Sequence, residues 1–250
     1  FRAGFIHTMM LTWANEGRVF RFQTGGLLCE VDPEQPQAGA KILRSGESPL
    51  EMACVIAIPA LRGNPLLAEE CFVRQTDLSL RYGPSKELPT SVSVVWRLRN
   101  PTEWLNSPNH DPISDSILLE CVISFQTDLL DAAPVQEVFS RFPAGNLLPV
   151  PALRPARPGE IDWPNSGTAG LIAADGLLFL SAVYPSDLRW MATSRDGQQY
   201  CQQVRLRTEN LEKGVIRRLR CLVAVGPQSL RKEFEKLPDR LADSKLPLSV

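Results

Sequence analysis

The run SVSVVWRLR, residues 91–99, alternates so strictly that it has to be a half-buried β-strand. Val92, Val94, Trp96 and Leu98 share one side, while Ser91, Ser93, Arg97 and Arg99 fall on the other. Successive strand side chains point to opposite faces, so this pattern buries one face and leaves the other polar. SILLECVISFQ (116–126) goes further. Ile117, Leu119, Cys121, Ile123 and Phe125 fall on one face, and the opposite face mixes Leu118 and Val122 with Glu120, Ser124 and Gln126. A long inner strand fits, with its register fixed because a one-residue slip would expose the whole apolar set.

The same period recurs in GFIHTMMLTW (4–13), EECFVRQTDLSLRY (69–82), GLLFLSAVY (176–184), QYCQQVRLR (199–207) and GVIRRLRCLVAV (214–225), separated by Gly, Pro, Asn and Asp clusters. Ten or more strands are expected. One helix is expected over PQSLRKEFEKL (227–237), where Leu230, Phe234 and Leu237 recur at helical spacing and Pro238 should end it. PVPALRPARPGEIDWP (149–164) is too proline-rich for either period and reads as a rigid interior connection. The fold class is therefore all-β: a large antiparallel β-sandwich, supersandwich-like, with one short C-terminal helix, and 1–250 as a single domain. A chain of 250 residues buries roughly 70 to 75% of its unfolded surface, enough to need no staple.

Formal net charge is −1, from 27 Lys and Arg against 28 Asp and Glu. That removes the broad cationic field of a protein coating nucleic acid or an anionic membrane, and neither partner is expected. The longest apolar runs fall well short of the roughly 20 residues of a membrane helix. The six cysteines, at 29, 54, 71, 121, 201 and 221, form no CxxC pair and no framework, so they read as reduced thiols in a reducing, cytoplasmic compartment. The chain starts FRAGFIHTMM, without Met, so residue 1 reads as a processed or arbitrary start, and a removed signal stays compatible with it.

No GxSxG, Walker A, HExxH or GxGxxG motif occurs, and no cofactor is expected. The two histidines limit metal and imidazole chemistry. His7 lies in an apolar strand-like run, and His110, near Asp111 and Asp115, sits in a loop where an oxygen-rich cation site competes with ordinary turn capping. Among the tryptophans, Trp96 belongs to a core face, whereas Trp104, Trp163 and Trp190 lie in or beside turns and are candidates for stacking on a sugar.

The stretch 199–225 poses a sharper problem. Read as an antiparallel hairpin, it places Tyr200, Val204 and Leu206 with Val215, Leu219, Cys221 and Val223 on an apolar face, and Arg205, Arg207, Arg218 and Arg220 together on the other. Like charges across strands are destabilising, so such a face wants anions. These can be protein carboxylates such as Glu209 and Glu212, or a bound carboxylate or phosphate held by guanidinium forks. Glu212, in the connecting turn, could orient one arginine. Arg217 falls on the apolar side and marks a strand end or bulge.

LEKGVIRRLR (211–220), preceded by LFLSAVYPSDLRW (178–190), resembles the closing hairpins of large β-sandwich proteins related in architecture to galactose mutarotases. CFVRQTDLSLRY, SVSVVWRLR and ISFQTDLL resemble a bacterial, planctomycete-like β-sandwich group. Together these segments cover about half the chain. The resemblance implies a twisted two-sheet supersandwich with a concave carbohydrate-binding face. The enzymatic family works with two histidines and a glutamate, and neither His7 nor His110 sits in a matching motif, so mutarotase activity does not carry over. The leading expectation is a non-catalytic carbohydrate-binding domain whose ligand is a carbohydrate or small anion, held by Arg205, Arg207, Glu212, Arg218, Arg220, Trp190 and Trp104. Two alternatives stand beside it: an interaction or structural module with an arginine-rich face, and a carbohydrate-active enzyme with a carboxylate pair. Whether the chain is an enzyme, and its oligomeric state, are left open.

Overall fold

The computed structural model describes residues 11–44, 51–57, 67–84, 89–106, 115–132, 137–148, 169–197, 199–206 and 211–244, with 51–57, 131–132, 196 and 206 described as backbone only. His7, His110, Trp163, Arg207, Glu209, Cys54's side chain and the proline-rich segment lie outside that description.

Strands are numbered along the chain. The first sheet runs, in spatial order, β1 (Ala14–Glu16), β2 (Val19–Thr24), β3 (Leu27–Val31), β4 (Ala40–Arg44), β5 (Glu51–Ala57), β11 (Glu137–Pro143), β16 (Gln199–Leu206), β15 (Leu188–Asp196). The second runs β12 (Asn146–Leu148), β13 (Ala169–Ala174), β14 (Leu177–Val183), β18 (Ile216–Pro227), β9 (Ile117–Gln126), β8 (Ser91–Leu98), β7 (Asp77–Tyr82), β6 (Glu70–Arg74). β10 (Asp131–Ala132) and β17 (Leu211–Glu212) form a small separate ribbon. Every pairing is antiparallel.

The alternating runs make the core between the sheets. Val92, Val94, Trp96 and Leu98 from β8 and Leu119, Cys121, Ile123 and Phe125 from β9 are buried there, in one cluster with Phe20, Phe22, Ile42, Phe142 and Val204 of the first sheet. Phe142 and Phe179 meet across the layers, with ring centroids 6.1 Å apart. Trp13 is buried at one margin and donates its indole N–H to the Thr76 carbonyl, 3.1 Å away.

A second apolar cluster sits on the outside of the second sheet. Leu178, Leu180 and Ala182 of β14, Leu222 and Ala224 of β18 and Leu118 of β9 are covered by Leu230, Phe234, Leu237 and Leu241. This explains why LLFLSAV and LVAV read as continuous apolar runs: here the sheet is buried on both faces. The covering chain is a 3-10 turn over Gln228–Leu230, then α2 (Arg231–Phe234) and α3 (Leu237–Asp243). The expected helix is present, but Pro238 does not end helical structure. It lies in the first turn of α3, where a missing N–H costs nothing. A further short helix, α1 (Pro101–Leu105), starts where Asn100 accepts from the Thr102 N–H at 3.0 Å, and its Trp104 and Leu105 pack against the same cluster. Among the described residues, no helix is long and apolar enough to cross a membrane.

The β16–β18 hairpin does not form. β16 pairs with β11 and β15 in the first sheet, whereas β18 pairs with β9 and β14 in the second. The reason lies in β18: from Leu219 to Gly226 every residue is buried, so the strand needs neighbours on both edges and layers on both faces. Local proximity to β16 offers only one edge, and β17 turns the intervening chain into its own ribbon. Arg217, by contrast, does mark a strand end, being the second residue of β18.

Candidate functional site

Beyond the helical cover, the outer face of the second sheet opens into a groove of about 530 Å³, within the roughly 300 to 1,000 Å³ of small-ligand sites. Register organises its floor into rungs across the strands. One rung reads Glu70, Arg81, Ser93, Ser124, Arg218 from β6 to β18. The next reads Phe72, Ser79, Val95, Val122. The third reads Arg74, Asp77, Arg97, Glu120. On the far side of the serine rung lie Ser91, Gln126 and Ile216. All of these except Glu120 line the groove. A hydroxyl row thus lies beside an apolar one, with Phe72, 50% exposed, on the wall.

The third rung closes the groove with charge. Asp77 takes a bidentate contact from Arg97, Nε to Oδ1 at 2.7 Å and Nη2 to Oδ2 at 2.5 Å, and this carboxylate raises the Arg97 pKa above its ordinary value. Glu120 lies behind, fully buried, and Arg97 Nη1 approaches its Oε2 at 3.9 Å. Arg99 Nε donates to Oε2 at 2.7 Å, and burial lowers the Arg99 pKa. Arg220 donates Nε and Nη2 to Oε1, at 2.8 and 2.6 Å, and reaches the end of α3 through Nη1 to the Ser244 carbonyl and Nη2 to Ser244 Oγ, at 2.9 and 2.7 Å. Its guanidinium also lies over the Tyr184 ring, 5.1 Å from the centroid.

The expected binding residues are therefore not one set. Arg218 lines the groove. Arg220, expected to face a ligand, is fully buried and committed to Glu120, Ser244 and Tyr184, because its strand lies in the sheet interior beneath the helical cover. Arg205 is in the other sheet, in register with Glu137 on one side and Trp190 on the other, so it shares no face with Arg218. Trp104 lies under Arg99, 5.0 Å from guanidinium carbon to ring centroid, and packs on the outer cluster rather than in the groove. Glu212 is exposed in the β17 ribbon. Sequence reasoning missed Phe72, Ser79, Ser93, Ser124 and Arg81. The available signal was the polar side of SVSVVWRLR: outward serines keep a sheet face low and open, where an ordinary solvated face carries long charged side chains.

No protein-family model matches the chain, and no curated protein matches it significantly. Solved structures do. A protein from Escherichia coli K12 named for a proposed aldose 1-epimerase activity aligns at TM-score 0.51 and 10% identity, over 83% of this chain and 98% of that one. A human-microbiome protein named for a proposed kojibiose phosphorylase activity aligns at TM-score 0.48 and 7% identity, over 94% of this chain and 33% of its own. A heparinase III gene product aligns at TM-score 0.45 and 9% identity, over 88% and 36%. The first likeness shows the fold: this is an all-β, galactose mutarotase-like sandwich.

Proposed function

We propose that the protein is a carbohydrate-binding sandwich, non-catalytic, whose ligand lies in the outer groove of the second sheet. One observation carries this: the floor sets the rung of Ser93 and Ser124 beside the rung of Val95, Val122 and the half-exposed Phe72. A pyranose has C–H faces and hydroxyl edges, so it needs such a two-sided floor; aromatic contact supplies much of the energy and hydroxyls fix orientation. The fold shared with the Escherichia coli protein, named for a sugar activity, supports the same reading. The whole chain is taken as one domain, since a single buried cluster draws on residues from Trp13 to Val225. The carboxylates lining the groove, Asp77 and Glu70, are both engaged by arginines, which favours binding over catalysis by a carboxylate pair. The interaction-module reading has less support, because the described arginines of the expected face fall on different sheets, Arg205 on the first and Arg218 and Arg220 on the second.

The test is a glycan array carrying neutral and acidic sugars, run with the native chain and with Ser124→Tyr. Tyrosine suits a strand and fills the groove from its floor, so glycan signal should vanish with the melting temperature retained. Equal retention of glycans by the variant would place the ligand elsewhere and refute the groove.

A further inference from the structure

Resting on that reading, we infer that the saccharide is acidic, and that Arg218 and Arg81 take its carboxylate or sulfate groups. In the serine rung, Arg81 and Arg218 stand at either end of Ser93 and Ser124. Three strand intervals of about 4.8 Å separate their backbones by about 14 Å, room for a short oligosaccharide between the two guanidinium groups. Among the described residues the lining holds four arginines (74, 81, 97, 218) and two carboxylates (70, 77), a formal +2 on a chain whose net charge is −1.

Three other arginines surround one buried carboxylate. Arg97, Arg99 and Arg220 converge on Glu120 and are withdrawn from solvent, with side chains 15%, 21% and 0% exposed. Arg81 faces Glu70 at 3.1 Å with both side chains about half exposed, at 45% and 55%. A pair that open contributes little to folding, so Arg81 can turn to a ligand at small cost. A neutral sugar would cover guanidinium groups without replacing their water. A carboxylate or sulfate meets the planar fork with two parallel hydrogen bonds. The groove therefore selects acidic saccharides over neutral ones of the same shape.

Calorimetric titration of the full chain tests this with four probes: tetragalacturonate, its full methyl ester, a sulfated tetrasaccharide and neutral galactotetraose. The ester keeps length and ring hydroxyls and loses only charge. An acidic probe should bind at least about tenfold tighter than the ester, the ratio that a charge-assisted hydrogen bond brings. Raising salt from about 50 to about 300 mM should erode that advantage, since exposed charges are screened. Arg218→Gln and, separately, Arg81→Gln should each bring the acid-to-ester affinity ratio down toward one. The carboxylated and sulfated arms distinguish which anion is preferred. An ester that binds as tightly as the acid overturns the acidic preference and leaves the sugar groove standing. Acidic binding unchanged in both arginine variants overturns the assignment of these residues. Binding of none of the four, with a blank array, overturns the sugar reading itself.

Discussion

The Glu120 network offers the most demanding prediction. Glu120→Gln preserves side-chain size but removes the charge between Arg99 and Arg220 and turns an amide NH2 toward guanidinium donors. Arg220 is fully buried, so its charge cannot relax into water. Removing one partner of a buried pair typically costs about 3 to 5 kcal/mol. Against a native stability of roughly 5 to 15 kcal/mol that is a large fraction. For a chain of this size each kcal/mol moves the melting temperature about 2 to 4 °C, so a fall of roughly 6 to 20 °C is expected. Arg220→Met should be comparably harmful, because it strands the buried carboxylate with only Arg99 at hydrogen-bonding distance and Arg97 at 3.9 Å. The double variant Glu120→Leu with Arg220→Met should recover most of the loss, since apolar replacement of a buried pair is often neutral or better. Urea denaturation followed by circular dichroism measures all four corners of the cycle. A Glu120→Gln loss under about 1 kcal/mol, or single losses that simply add, would show that the network is not a desolvated, coupled unit.

Three further outcomes follow from the packing. Phe125 is fully buried at the centre of the inter-sheet core, so Phe125→Ala should cost about 3 to 5 kcal/mol by urea titration, and less than about 1 kcal/mol would mean that the β9 register is wrong. Cys29, Cys121 and Cys221 are buried, and burial raises each thiol's pKa, whereas Cys71 is exposed and Cys201 half-buried. Peptide mapping after native alkylation should find Cys71 and Cys201 modified and those three untouched, and denaturation without reductant should release six titratable thiols; fewer than five refutes the reduced state. Asp187 is buried, and burial raises its carboxyl pKa above the ordinary value of 3.8, against the lowering effects of the Arg220 N–H, the Ser186 hydroxyl, Arg217 and Arg220. The folded state thus holds this proton more tightly than the unfolded chain, so the stability it contributes is complete below about pH 3.9 and is lost as pH rises through the folded value. Relative to Asp187→Asn, the native chain should gain stability as pH is lowered through that window, and a constant difference would refute the shift.

How much was legible in the sequence differs sharply between fold and site. Where one face of a strand is buried and the other wet, as in β8, alternation reads directly into orientation, and Val92, Val94, Trp96 and Leu98 are all in the core as expected. Where both faces are buried, as in the second half of β18, the pattern announces a strand without saying which layer covers it. Pairing was less legible still. Two alternating strands close in sequence invite a hairpin, yet the tertiary demand of β18 for two neighbours and two covered faces outweighed proximity and moved β16 to the other sheet. The arginine face was inferred from that local pairing, so it dissolved with it. Arg81, Ser93 and Ser124 escaped notice because they come from three different strands, and only the non-local register brings them into one row with Arg218.

That register also explains the arginines of IRRLRCLVAV. The outward residues of β18 are Ile216, Arg218, Arg220, then Leu222 and Ala224, and those of β9 pass from Gln126, Ser124 and Val122 to Glu120 and Leu118. β18 changes character after Arg220 and β9 after Glu120, one rung apart, since Arg220 lies opposite Val122 and Glu120 opposite Leu222, and the boundary level is the diagonal on which the two side chains meet. Below that level the outer face is apolar and carries the C-terminal helices; above it the face is polar and open. A sheet face covered over only part of its length needs a boundary that neither invites the helices further nor exposes apolar surface, and a buried ion pair does both. It resists apolar cover beyond Arg220, and through Ser244 it fixes where α3 stops. Arg217 points inward at the strand's first turn into the sandwich, Arg218 faces the groove, and Arg220 holds the boundary. Three neighbouring arginines thus meet three different environments because alternation and depth change along a single strand.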